Sequence, residues 1–279
     1  MEYNTIIKPK NKLFDIDFKE IWEYRDLFSL FVKRDIITQY KQTVLGPVWF
    51  FVQPALTTII YMIAFGGIAG ISTDGLPQPM FYLAGIVCWN YFSDCLNKTS
   101  STFTTNQGIF GKVYFPRLII PLSVVASTLV RMGIQFLLFV AVYVYYILVK
   151  GIHIAPNGYL FLIPVLIIML AGLSLGFGII ISSLTTKYRD LTILFSFILQ
   201  LWMYATPIIY PLSLMSSKRQ WYMVLNPVTS IIEAFKYGTM GVGTFSLSQL
   251  AYSFGFMVVV LIIGVVVFNK VQRSFMDTV

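Results

Sequence analysis

The residues that could do chemistry in this chain are few, and their spacing argues against catalysis. The single histidine, His153, sits in a short stretch with Pro156 and Gly158. There is no second histidine to complete a metal pair, and no cysteine pair has zinc-ligand spacing. Cys88 and Cys95 are seven residues apart. On a helix that is two turns, roughly 10 Å along the axis, whereas a disulfide tolerates a Cα separation of about 7 Å. Both are expected to be buried free thiols. Gly111-Lys112 looks like the end of a phosphate loop but runs into Val113, and the earlier glycine is missing. No nucleotide is expected to bind this chain by such a loop. Glu233 and Asp190 are isolated carboxylates, so neither catalytic residues nor a metal site are expected.

Arg131 is different, because it lies inside a long apolar stretch. An ionisable residue at membrane depth is a functional candidate by default. Two readings stay open for it: snorkelling to an interface, or facing a pathway and an anionic cargo. Aromatic residues make up 16% of the chain, and Trp49, Tyr61, Trp202 and Tyr204 fall in or beside apolar stretches. Such rings form interfacial belts. They also offer weak, repeated stacking to the apolar faces of sugar rings, which suits a conducted species that must leave each site as readily as it enters.

The elements that must position these residues are lipid-embedded helices. Hydrophobic residues are 57% and charged residues 11% of the 279, against about 25% charged in a soluble domain. Apolar stretches near the roughly 20 residues needed to cross a bilayer occupy about 46–70, 80–96, 118–149, 159–184, 191–210 and 250–269. The third is about 48 Å long as a helix and is expected to project beyond the membrane. A further apolar stretch, 221–238, is broken by Asn226-Pro227, because proline interrupts a helix. It is read as a re-entrant or interfacial segment, with Asn226, Pro227 and Glu233 as its candidate residues. The expected fold is an all-α integral membrane protein with six transmembrane helices, an N-terminal amphipathic interface helix and an outer re-entrant segment between helices 5 and 6. The expected division is a cytoplasmic N-terminal segment at 1–19, a transmembrane domain at 20–270 and a cytoplasmic tail at 271–279.

The net charge of +8 does not point to nucleic acid, because the cations flank apolar stretches. Lys8, Lys10, Lys12, Lys19, Arg25, Lys33, Arg34 and Lys41 precede the first span. Lys98, Lys112, Arg117, Lys187, Arg189, Lys270 and Arg273 follow even-numbered spans. Only Lys150, Lys218, Arg219 and Lys236 fall on the opposite side. The positive-inside bias then places both termini in the cytoplasm, in a multi-pass inner-membrane protein. The polar opening from Met1 to Lys19 has no early apolar core and is not expected to be a cleavable signal. Ile21, Tyr24, Leu27, Phe28, Phe31, Val32 and Ile36 share one side of a helix. Large aromatics with basic residues fit an interfacial helix, whose candidate residues are Trp22, Phe28, Phe31, Arg34, Tyr40 and Lys41. In the loop between the second and third spans, Gly108-Ile109-Phe110-Gly111 sets apolar side chains in polar surroundings, as a knob for a partner's cleft would.

Arg34-Asp35, the run from Gln39 through Gly46-Pro47-Val48-Trp49, and Gln53-Pro54 resemble the opening signature of ABC-2-type polysaccharide export permeases, a group that includes O-antigen, capsule and teichoic acid exporters. Phe115-Pro116-Arg117 with Pro121-Leu122-Ser123, Tyr188-Arg189-Asp190-Leu191, and Asn226-Pro227 with Glu233-Ala234-Phe235-Lys236 are similar to later parts of the same family, in order. The resemblance implies a homodimer with two separate ATPase subunits, which bind the ATP and magnesium that this chain does not. It implies that the loop at Asn106, Gly108, Ile109, Phe110, Gly111, Lys112 and Tyr114 couples to those ATPases. It also implies that a lipid-linked polysaccharide, O-antigen above all, passes between first and fifth spans, with Trp49, Tyr61, Arg131, Trp202 and Tyr204 as pathway candidates. Two alternatives remain at this stage. A drug or small-lipid exporter would share the architecture, although such relatives often carry a larger outer domain. A membrane enzyme of lipid-linked sugars would need a carboxylate cluster.

Overall fold

The computed structural model describes residues 18–275, apart from 42–45, 111, 155 and 189. Part of the opening signature, Gly111 of the loop, Arg189, segment 1–17 and tail 276–279 therefore lie outside the described residues, as do the side chains of Tyr40 and Arg273. Among the described residues every regular element is helical.

The chain opens with α1 (Phe18–Glu23) and α2 (Arg25–Tyr40). A 3-10 turn, Gly46–Val48, leads into α3 (Trp49–Tyr61), which continues as a π-helix, Met62–Ile68. Then come α4 (Gln78–Ser100), the short α5 (Thr102–Thr105) and α6 (Gln107–Phe110), and the long α7 (Ile119–Leu148). A 3-10 turn, Gly158–Leu162, starts α8 (Ile163–Thr185), followed by α9 (Leu191–Tyr204). The chain closes with α10 (Ser217–Val224), α11 (Pro227–Met240) and α12 (Leu247–Phe275).

Among the described residues four helical runs are long and apolar enough to cross a membrane: Gly46–Ile68, Ile119–Leu148, Gly158–Thr185 and Leu247–Gln272. The expected second and fifth spans are helices of another kind. α4 has the length, at 23 residues, but carries Asn90, Asp94, Asn97 and Lys98. α9 is apolar but has 14 residues, about 21 Å of helix.

α4 packs between α7 and α8, with sixteen of its 23 residues buried. Those four polar residues are not among them, and Asn90 and Asp94 pair instead with Gln135 and Arg131 of α7. α12 lies along α8. Glycine permits both approaches. A Cβ at Gly178 would collide with Thr99, and one at Gly264 would lie 2.8 Å from the Gly176 carbonyl. Between helices in lipid, small residues bring backbones into van der Waals contact where apolar burial supplies little drive.

Two apolar clusters result. The larger joins α4, α8 and α11. The smaller gathers Phe31, Phe103, Phe110, Phe115 and Phe268 at the end where α2, α5, α6 and the C-terminal turns of α8 and α12 meet. That end is called the base below. α11 belongs to the interior, with thirteen of its 14 residues buried. Its start matches the sequence reading: Asn226 caps it, Oδ1 accepting from the Val228 amide at 3.1 Å, and Pro227 occupies the first turn. By contrast, α3 and α9 are barely packed. In α3 only Phe50, Pro54 and Thr58 are buried, and α9 buries Leu199 alone.

Candidate functional site at the base and along α3 and α9

The base carries the loop 101–118. Its backbone is fixed to α8, because the Phe103 amide donates to Ser182 Oγ at 3.1 Å. Phe103 stacks on Phe268 of α12 at 4.6 Å, and Phe110 stacks on Phe115 at 5.8 Å. Phe31 of α2 reaches Phe115 at 5.8 Å. The Arg117 guanidinium lies 5.3 Å over Phe110, and its Nη1 donates to the Gln272 carbonyl at 3.0 Å. Burial lowers the Arg117 pKa from its ordinary value, but a guanidinium starts so far above neutral that it stays charged.

This geometry revises the expected knob. Phe110 is 4% exposed and faces the protein's own aromatic knot. Asn106 is also buried, and its Nδ2 donates to the Thr102 carbonyl at 3.0 Å, holding the turn. What the loop offers outward is Gly108, Lys112, Val113 and Tyr114, with Ile109 half-buried. Tyr114 is 62% exposed, and its hydroxyl donates to Glu20 Oε1 at 3.2 Å. That bond joins the loop to α1, where Trp22 is 70% exposed. Residues 112–114 and α1 thus form one outward face. Val113 and Glu20 carried no sequence signal, because nothing local marks an exposed turn as continuous with a distant helix.

On α2 the expected apolar side packs inward. Phe31 is buried, and Phe28, Val32 and Ile36 are half-buried. Arg34 makes a 2.8 Å ion pair with Asp35 and lies 4.7 Å over Phe31. Lys41 is exposed.

Arg131 is resolved by its partners. Its Nη1 lies 2.8 Å from Asp94 Oδ2 on α4, and its Nη2 donates to Gln53 Oε1 on α3 at 2.7 Å. The guanidinium also sits 5.0 Å over the Phe50 ring of α3. One turn along α7, Gln135 accepts from Asn90 Nδ2 at 3.2 Å. A polar seam therefore ties the loosely packed α3 to α4 and α7. Snorkelling to water is not what satisfies this cation.

The remaining pathway candidates divide. Tyr61 on α3 donates to Met203 Sδ on α9 at 3.5 Å, so α3 and α9 touch. Trp202 turns inward, edge-on to Phe92 at 5.2 Å and Phe177 at 5.3 Å. Its Nε1 donates to Asn226 Oδ1 at 3.0 Å. Asn226 Nδ2 donates to Thr206 Oγ1 at 2.9 Å, which ties the end of α9 to the start of α11. Trp49 and Tyr204 are exposed, as are Ile59, Ile60 and Ile63 of the α3 run and Ile193, Phe197 and Leu201 of α9.

Glu233 and Lys236 are sealed. Their side chains are 3% and 2% exposed, 3.5 Å apart. Lys236 Nζ donates to the Pro207 carbonyl at 2.6 Å and lies 3.9 Å over Phe81. Glu233 Oε2 accepts from the Thr244 amide at 3.1 Å. Buried this way, Glu233 braces the loops around α11 rather than facing a passage.

Residues 26–240 match the family model described as ABC-2 type transporter. The chain is 28% identical over 253 residues to the O-antigen export system permease protein RfbA of Klebsiella pneumoniae, covering 90% of this chain and 94% of that one. It is 28% identical over 223 residues to the RfbA permease of Myxococcus xanthus, covering 78% and 82%. It is 22% identical over 248 residues to the polysialic acid transport protein KpsM of Escherichia coli, covering 88% and 93%.

Proposed function

The chain belongs to the ABC-2 type transporter family, and we propose that it is the membrane permease through which a lipid-linked polysaccharide, O-antigen or a similar glycan, leaves the cytoplasm. The observation that carries this reading is the near end-to-end similarity to two O-antigen export permeases and a polysialic acid transporter. The chain is not an enzyme in this reading. Two separate ATPase subunits bind ATP and magnesium and supply the energy. The permease is a homodimer in the inner membrane, both termini are cytoplasmic, and α4 and α9 complete six spans.

The physical arrangement supports the passage and the coupling face. α3 and α9 leave apolar faces uncovered, and a second copy would cover them while leaving a lined passage between. Stacking on Trp49 and Tyr204 is compatible with sliding, because neither ring is buried. At the base, Tyr114, Val113 and Lys112 beside Trp22 offer the ATPases a grip. Motion there reaches the helices directly, since the same loop is bonded to α8 and α12. The polar seam at Arg131 holds α3 in place while α3 stays otherwise free to move.

The test is reconstitution with the cognate ATPase. ATP-dependent movement of lipid-linked glycan into vesicles is expected, with the permease alone inert toward ATP. Unaided ATP hydrolysis, or unchanged surface glycan after deletion of the gene, would overturn the reading.

A further inference from the structure

We infer that the groove between α2 and α7 holds one anionic phospholipid. A cavity of about 370 Å³ opens there. Phe28, Val32 and Ile36 of α2 and Ala126 of α7 form its apolar walls, while Ser29 and Lys33 stand on its polar edge, one helical turn apart. No carboxylate lines it. The apolar side runs out onto Leu129 and Val130 of α7, which share Ala126's side of the helix and are exposed.

Lys33 is the charge that decides the occupant. Its neighbour Arg34 is neutralised by Asp35 at 2.8 Å, but among the described residues Lys33 has no ion pair. The groove therefore fits a molecule that joins an apolar chain to one anionic head. A phosphate oxygen would accept from Lys33 Nζ and the Ser29 hydroxyl, with the acyl chain against Phe28, Val32 and Ile36. A zwitterionic head would bring its own cation to Lys33 and gain less. A polyprenyl phosphate has similar chemistry. The bilayer phospholipid is favoured because no residue of α3 or α9 lines the groove, so it stands apart from the proposed glycan pathway. The inference rests on the permease reading and on α2 lying against the membrane, as its sequence leads one to expect, but not on which cargo the permease moves.

The experiment titrates the full-length permease, purified in mild detergent, with phosphatidylglycerol or phosphatidylcholine and counts retained lipid by native mass spectrometry. One phosphatidylglycerol is expected to be retained about fivefold more tightly than phosphatidylcholine, the effect of one lysine near an anionic head. Lys33→Gln should abolish that preference with little change in thermal unfolding, since the side chain is exposed. Ala126→Phe, which fills the cavity, should reduce retention of both lipids. Equal affinity for the two lipids in the unmodified protein would overturn the inference, as would a preference that survives Lys33→Gln. Displacement of phosphatidylglycerol by an equimolar polyprenyl phosphate would also overturn it, by assigning the groove to the carrier lipid. Glycan translocation is read by a separate assay, so either conclusion can fail alone.

Discussion

Among the described residues two ion pairs are packed among the apolar helices, and they are held in different ways. Glu233 and Lys236 belong to one helix, are almost wholly buried, and reach Pro207, Thr244 and the Phe81 ring. Asp94 and Arg131 belong to two helices, retain 28% and 16% exposure, and reach a third helix through Gln53. The first pair closes local loops around α11. The second fastens α3, which little else holds. A charge sealed in a low-dielectric interior is strongly destabilising when its partner is removed, whereas a partly open pair is partly solvated in either state. One pair is sealed inside the block around α11, and the other, partly open, joins the sparsely buried α3 to α4 and α7.

The largest effect that would test this contrast is on the sealed pair. Lys236→Met strands the Glu233 carboxylate and is expected to cost about 3–5 kcal/mol, read as a fall in the thermal unfolding temperature in detergent. Adding Glu233→Leu should recover only part of that loss, because the Thr244 amide and the Pro207 carbonyl lose their partners. Full recovery would show that the pair only neutralises itself and does not brace the loops. Next comes the aromatic knot. Phe110→Ala should cost about 3 kcal/mol and lower ATPase docking only as folded protein is lost. Docking abolished in fully folded Phe110→Ala protein would return Phe110 to the outward face. The open pair should be weaker. A double-mutant cycle on Arg131→Gln and Asp94→Asn is expected to give about 1–2 kcal/mol of coupling. Glycan transport should fall further than stability does, because α3 loses its tether. Coupling as large as that of Glu233 with Lys236 would end the distinction. The smallest stability effect is at Tyr114→Ala, within about 0.5 kcal/mol, with loss of ATPase stimulation in the assembled complex. Unchanged stimulation would remove Tyr114 from the docking face.

Much of this was legible beforehand. The apolar stretches found their helices within a few residues at most ends, because hydropathy and length decide what lipid will hold. The break at Asn226-Pro227 was legible too, since a capping side chain and a proline act within one turn. The apolar side of α2 followed from helical period. The site was less legible. Phe110 looks like an exposed knob in a list of loop residues, and only the arrival of Phe115, Phe103 and Arg117 from other elements turns it inward. Arg131 left two readings open because its partners, Gln53 and Asp94, are 78 and 37 positions away in the chain. The apolar, glycine-bearing α8 read as an ordinary span, although its glycines set how closely α4 and α12 approach.

By itself the sequence determined the apolar composition, the helical class, the approximate bounds of the apolar helices and the family. Those depend on composition, period and short motifs, which are local or summed properties. The tertiary structure alone decided which charges are neutralised, which aromatics face protein and which face out, and which helices remain uncovered. Those are pairwise contacts between residues far apart in the chain, and no count along the sequence contains them.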